Sequence, residues 1–320
     1  MLHSEMLTTG LLAGGLLALY FGAEWLVRGS SALALRLGLT PLLVGLTVVA
    51  YGTSAPELIV SLAAAMSDQS EIAVGNAIGS NIVNIGLILG LTAVLCPLKV
   101  HLQVLKLDTP VMVAAALLFL AFFRDQTIGW VESWVFVLLL ILYTVFNVRL
   151  ARRQCDPAVD QEYATAVASP GPSFLFCSML IVGGLAALAV GAQAFVEGAI
   201  QVALAFGITE GIIGLTVVAI GTSLPELITS AVAALRKQTD IAVGNIVGST
   251  ICNILAILGF AGVLAGPLVG PGVAIANVGI MTAFLVVMTA IAWTGFKLER
   301  WEGALLLAGY GAYLTWLWPT

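Results

Sequence analysis

The chain is 320 residues long, 60% hydrophobic and only 9% charged, with a formal net charge of −5. A mean hydropathy of +1.09, against the ~25% of charged residues usual in a soluble domain, excludes a soluble enzyme or a nucleic-acid-binding partner and predicts an all-α integral membrane protein in a lipid bilayer. The four cysteines form no CxxC pair and the two histidines are too few for a His-rich metal site.

A bilayer core about 30 Å thick takes roughly 20 helical residues to cross. Ten apolar stretches of that order follow one another, near 7–27, 39–66, 71–95, 107–123, 130–150, 174–195, 207–235, 240–266, 273–293 and 301–318. No Lys or Arg precedes Arg28, and the first apolar run leads into the next, so no removable signal peptide is expected. Residues 151–173 are polar, bear Pro and Gly, and read as a linker between a first five-span repeat (1–150) and a second (174–320). The linker offers only Asp156, Asp160 and Glu162 as acids, without an EF-hand pattern. With the N-terminus outside, eleven of the twelve Lys and Arg residues fall on cytoplasmic loops or span ends, and Arg124 alone lies outside. The positive-inside rule then predicts a multi-pass protein of the plasma membrane (the inner membrane of a bacterium), with both termini outside.

Gly38–Gly90 and Gly207–Gly259 are nearly the same sequence, aligned without a gap at an offset of about 169 positions, with roughly three residues in five identical. The first reads GLTVVAYGTSAPELI and then IAVGNAIGSNIVNIGLILG; the second reads GLTVVAIGTSLPELI and then IAVGNIVGSTICNILAILG. Five spans per half require the copies to face opposite ways. Loop charges at equivalent positions change accordingly: Arg28 aligns with Glu197, and Ser67-Asp68 with Arg236-Lys237. Internal repeats with interrupted helices at matching positions point to a secondary transporter's substrate site.

Pro56 and Pro225 break the second and seventh spans, leaving carbonyls, notably of Ala50 and Tyr51 and of Ala219 and Ile220, to seek other partners. Thr53 and Glu57 share a helix face, as do Ser80 and Asn84, Thr222 and Glu226, and Ser249 and Asn253. Two carboxylates with hydroxyl, amide and carbonyl oxygens make an all-oxygen set suited to hard cations such as Ca²⁺. Apart from Cys252 nothing soft is offered, which argues against Zn²⁺ or Cu⁺. Two glutamates neutralise one divalent ion or two monovalent ones, so charge balance suggests exchange of one class for the other. The bland alternative is that Ser54-x-x-Glu57 and Ser223-x-x-Glu226 are capping boxes. Asn76 and Asn245, within GxxxG spacings, divide between packing and function. Glu24 beside Arg28 reads as an interfacial ion pair, and Gln69, Glu71 and Asp240 as loop or helix-start residues.

At the G-T-S-x-P-E and G-N-x-x-G-S-x-x-x-N segments, and at Ile-Ala-Val-Gly-Asn where the third helix starts, the chain resembles the cation/Ca²⁺ exchanger superfamily, specifically its bacterial and archaeal sodium/calcium exchanger group. The resemblance implies an electrogenic antiporter moving Ca²⁺ against Na⁺ by alternating access, with the first and sixth spans sliding as a pair across the other eight. It implies ion binding by Glu57 and Glu226, by Thr53, Ser54, Ser80 and Asn84, by Thr222, Ser223, Ser249 and Asn253, and by the backbone oxygens of Ala50 and Ala219. One position departs from the pattern: many members carry Asp where this chain has Asn253, which leaves Na⁺ or H⁺ open as the counter-ion.

The expected function is therefore Ca²⁺/Na⁺ antiport by a monomer without a cofactor. A Ca²⁺/H⁺ antiporter on the same scaffold is the alternative. A passive cation channel fits two inverted halves poorly, and an intramembrane protease lacks an HExxH motif.

Overall fold

The structure, a computed structural model, describes residues 2–153, 173–205 and 219–317. It is built from helices: α1 (Leu2–Leu37), α2 (Pro41–Thr53), α3 (Ala55–Met66), α4 (Ser70–Leu95), α5 (Val104–Asp125), α6 (Trp130–Arg153), α7 (Phe174–Ala205), α8 (Ala219–Thr222), α9 (Leu224–Leu235), α10 (Thr239–Ala265), α11 (Ile275–Trp293) and α12 (Arg300–Leu317). Four two-residue strands accompany them: β1 (Leu98–Lys99), β2 (Thr127–Ile128), β3 (Leu268–Val269) and β4 (Lys297–Leu298).

Among the described residues seven helices are long and apolar enough to cross a membrane, namely α1, α4, α5, α6, α7, α10 and α11. The bent pair α2–α3, angled by 43°, makes an eighth. The chain is a multi-pass membrane protein. Of the ten expected spans, the last corresponds to α12, which falls outside the apolar set. The seventh begins in residues outside those described, and its described part is α8 and the 12-residue α9. Most of the expected linker also lies outside the described residues, although Ala151–Arg153 continue α6. The first and sixth spans are longer than anticipated, 36 and 32 residues, or about 54 and 48 Å at 1.5 Å per residue.

Packing places α4 and α10 at the centre. The apolar window of α10 is 89% buried and that of α4 72%, against 28% for α7. Glycines allow the tightest approaches. A Cβ on Gly22 of α1 would stand 2.8 Å from Leu188 N, and one on Gly184 of α7 2.7 Å from Leu26 N. Gly15 and Gly191 make the same kind of approach one step along, so α1 and α7 run antiparallel with backbones in contact. On α2, Gly45 meets the backbone of Ile241, while Gly244 and Gly248 of α10 meet that of Leu42 and Leu46.

The two halves interlock. Gly90 of α4 packs on Gly303 of α12, and Gly259 of α10 packs on Ser133 and Val137 of α6, so the last helix of each half lies on a central helix of the other. β1 pairs antiparallel with β4, and β2 with β3. The turns repeat as well. Left-handed φ values occur at Asp68 (59°) and Lys237 (60°), one repeat offset apart, and at Gln126 (59°) and Phe296 (55°). Neither pair shares a residue type, so the backbone path rather than the side chain is what the two copies hold in common.

Candidate ion-binding site

Ser54 (φ −81°, ψ 0°) interrupts the helix between α2 and α3, and Ser223 (φ −90°, ψ 6°) does so between α8 and α9. A proline in the first turn beyond each break starts the new helix, where its missing N–H costs nothing. Glu57 and Glu226 follow in those first turns, at the end of the helix dipole that favours a carboxylate. Neither serine caps its own helix through its side chain. The Ser54 hydroxyl instead donates to Glu226 Oε1 at 3.0 Å, and the Ser223 hydroxyl donates to Glu57 Oε1 at 3.2 Å. The capping-box alternative is thus overturned: the serine of each half serves the glutamate of the other.

Both glutamates are 0% exposed, and Oε2 of each is buried without a hydrogen-bond partner. Facing the breaks, α4 and α10 change from α to π winding at Val83–Leu89 and Asn253–Ile257, which bring Asn84 and Asn253 into the buried centre. Both polar atoms of each of these two amides are also unpartnered. One charge-assisted hydrogen bond returns about 1.5–3 kcal/mol, whereas withdrawing an ion from water costs several kcal/mol even after relaxation. The hydroxyl bonds alone therefore do not offset the cost of holding both carboxylates charged.

The remaining expected residues divide. Ser249 Oγ donates to the Ala50 carbonyl at 3.3 Å, and Thr53 Oγ1 lies 3.3 Å from that carbonyl and 3.1 Å from Asn245 Oδ1. The Ala50 carbonyl is not stripped of its helical partner as expected, since it also accepts from Ser54 N at 3.0 Å. The proline that lacks an N–H is Pro56, whose helical acceptor four residues back is Gly52, not Ala50. Ser80 Oγ lies 3.3 Å from Asn76 Oδ1. Thr222, half-buried in α8, lines a cavity of about 810 Å³ beside the breaks with Pro56, Pro225 and Gly221, and Ala192 and Val196 of α7 form part of its wall. Ala219 begins α8.

Asn76 and Asn245 act as braces. Asn245 Nδ2 donates to Ser230 Oγ at 3.0 Å and reaches the Glu226 carbonyl at 3.5 Å; Asn76 Nδ2 donates to Ser61 Oγ at 2.7 Å and to the Glu57 carbonyl at 3.2 Å. Sequence reasoning missed Ser61 and Ser230. Their equal spacing of four beyond Glu57 and Glu226, in both copies, was the available signal. Glu24 pairs with Arg28 as expected and also with Arg236. Glu71 accepts from Gly272 N at 2.9 Å, and Asp240 lies 3.5 Å from His101. No cluster of three or more His, Cys, Asp and Glu is present among the described residues, so neutral oxygens must complete any shell built on the two carboxylates.

If the serine hydroxyls hold the glutamates for an ion, Ser54→Ala and Ser223→Ala should each weaken Ca²⁺ binding roughly tenfold, the value of one hydrogen bond to a charged group. Titration calorimetry on purified protein checks this, and unchanged affinity in both variants would exclude the cross-bonds from the site.

A buried pair of carboxylates, each held by a serine hydroxyl and flanked by amides, thus lies at helix breaks in the centre of a helical membrane bundle. The chain belongs to the sodium/calcium exchanger protein family, whose model matches residues 7–149 and 177–318. It is 36% identical over 325 residues to inner membrane protein YrbG of Escherichia coli (98% of each chain covered). It is 33% identical to sodium/calcium exchanger MaX1 of Methanosarcina acetivorans, over 94% of this chain and 95% of that one. The solved structure of the sodium-calcium exchanger NCX_Mj soaked with 2.5 mM Na⁺ and 0.1 mM Ca²⁺ superposes with a TM-score of 0.83 at 33% identity, covering 98% of this chain and 99% of that chain.

Proposed function

We propose that this protein is a Na⁺/Ca²⁺ antiporter in which Glu57 and Glu226 bind one Ca²⁺ or a set of Na⁺ ions in mutually exclusive occupancies. The observation that carries the reading is the pair of unpartnered, fully buried Oε2 atoms, each on a glutamate held by a serine from the other half. Thr53, Ser54, Ser80, Asn84 and the Ala50 carbonyl complete the shell from one half. Thr222, Ser223, Ser249, Asn253 and the Ala219 carbonyl do so from the other.

Alternating access follows from two inverted five-span halves, 1–150 and 174–320, joined by a cytoplasmic linker at 151–173. The antiparallel run of α1 against α7 and the reciprocal pairing of β1 with β4 and β2 with β3 support the inversion. Both termini lie outside, on the distribution of Lys and Arg. Occupancy decides closure, because an uncompensated carboxylate pair resists desolvation and a neutralised one does not.

The test is ⁴⁵Ca²⁺ uptake into proteoliposomes with an outward Na⁺ gradient, with a matched pH-gradient arm. Uptake driven by Na⁺ supports the reading. Uptake driven only by the pH gradient makes the protein a Ca²⁺/H⁺ antiporter, and coupled uptake in neither arm overturns both. Asn253→Asp restores the acid found in many members of the superfamily. It should leave Ca²⁺ uptake in place but make it fall in acidic buffer, because the added carboxylate loses its charge there. A pH-independent variant would count against Asn253 as a ligand.

A further inference from the structure

Asp108 is a fully buried acid that the central site does not use. It closes a π-wound turn, Val104–Asp108, at the start of α5. The Tyr143 hydroxyl donates to its Oδ1 at 2.9 Å, and Asn147 Nδ2 lies 3.4 Å from the same oxygen. Its Oδ2 is buried with no partner, and no Lys or Arg nitrogen among the described residues pairs with it. An ionisable side chain inside a membrane span is retained at a cost and marks an ion pathway or proton relay by default.

The neighbours of this acid lead in two directions. Outward, Gln103 Nε2 reaches Asn147 Oδ1 at 3.5 Å and Gln103 itself lines a cavity of about 640 Å³ with Thr40, His101, Lys106 and Asp240. That cavity lies on the face carrying the β1–β4 ribbon, cytoplasmic in the orientation proposed above. Inward, Thr144 follows Tyr143 on α6 and shares a 2.6 Å hydrogen bond with Tyr51, the residue after Ala50. Hydrogen-bonded polar groups thus run from the cavity to Asp108, and a separate Tyr51–Thr144 pair on the next residue of α6 stands at the edge of the central site. At the equivalent position of the other half stands Asn277, so only one copy of the repeat holds an acid here.

What the acid takes is decided by its partners. Tyr143 and Asn147 present donors, and the Asn147 amide oxygen already faces Gln103. A hard metal ion needs several acceptor oxygens in its shell; a proton needs one lone pair, which Oδ2 has free. We propose that Asp108 is a second ion site, binding one proton drawn from cytoplasmic water, the carboxylate becoming the neutral acid with no other bond made or broken. Its occupancy sets the rate of exchange as a function of cytoplasmic pH, a role that rests on the exchanger reading; the binding itself does not. The other titratable groups on the packed elements are Glu132, Tyr143, Arg149, Arg152 and Arg153 on α6, Tyr51 on α2, Asp240 and Cys252 on α10, and Lys106, Arg124 and Asp125 on α5 itself, with His101 on its approach; α11 contributes none.

The experiment is pH-difference infrared spectroscopy on the purified full chain, run beside Na⁺-driven ⁴⁵Ca²⁺ uptake at varied internal pH. Asp108→Asn should remove one protonated-carboxyl band that titrates in the wild type and flatten the pH profile at least threefold, with Na⁺ dependence unchanged. Tyr143→Phe keeps the acid and should retain the band but displace its midpoint. A band set identical in wild type and Asp108→Asn overturns the proposal whether or not the protein transports. A band that moves with Na⁺ rather than pH overturns it in favour of a metal ion. Loss of uptake in the wild type would instead count against the exchanger reading, leaving the infrared result to judge Asp108. Should Asp108→Asn fail to fold, Tyr143→Phe alone decides: an unmoved midpoint overturns the site.

Discussion

Replacing Glu57 or Glu226 by Gln is expected to reduce Ca²⁺ uptake at least a hundredfold while the protein stays folded. Leaving a buried charge without its partner typically costs 3–5 kcal/mol, and each 1.4 kcal/mol is a factor of ten in affinity. Here the ion is the partner that loses its counter-charge. Glutamine keeps the shape and can still accept from Ser223 or Ser54, but it removes a negative charge that is fully buried. Without Ca²⁺ each variant should therefore melt at or above the wild-type temperature, and the stabilisation by Ca²⁺ should disappear. Thermal melts with and without Ca²⁺, beside ⁴⁵Ca²⁺ uptake, check both parts. Wild-type uptake in both single variants would remove the glutamates from the site.

The second large effect belongs to a residue with no side chain. A Cβ on Gly248 would stand 2.5 Å from Leu46 O and 2.7 Å from Ala50 Cβ. The oxygen is backbone and cannot swing aside. Gly248→Val is expected to push α2 from α10, cost about 1–3 kcal/mol by overpacking, and break the Ser249–Ala50 hydrogen bond. Uptake should fall to under roughly a tenth, because a displacement near 1 Å suffices for such losses in a positioned site. Gly183→Ala is the control, since the nearest atom to its Cβ would be Trp25 Cε3 at 4.0 Å. Equal activity and melting temperature for both variants would show that the close approach does not position the site.

Much of this was legible in the sequence. Apolar run lengths gave α4, α5, α6, α10 and α11 to within a few residues, because a segment that must satisfy its own backbone in lipid has little choice but helix. The duplicated Gly-Thr-Ser-x-Pro-Glu placed both breaks and both glutamates. Three things were less accessible. The π turns at Asn84 and Asn253 share no proline or glycine signature, since Gly86 lies within the first and the second, Asn253–Ile257, has neither residue. Serine hydroxyls crossing between halves could not be told from helix caps, since S-x-x-E satisfies both until the halves are brought together. The seven-residue spacing of glycine in α1 (Gly15, Gly22, Gly29) and α7 (Gly184, Gly191, Gly198) was on the page, but only the folded pair reveals that those positions face one another.

That glycine row has a mechanical consequence. Two helices about 50 Å long, touching main chain to main chain at Gly15, Gly22, Gly184 and Gly191, have few side-chain teeth between them to slip, and they bend as one beam. Midway along α1 Glu24 pairs with Arg236, and toward its N-terminus Thr8 meets Gln201 of its partner helix. On the alternating-access reading proposed above, such a helix pair travels as one unit, and a shift toward one mouth is a shift away from the other.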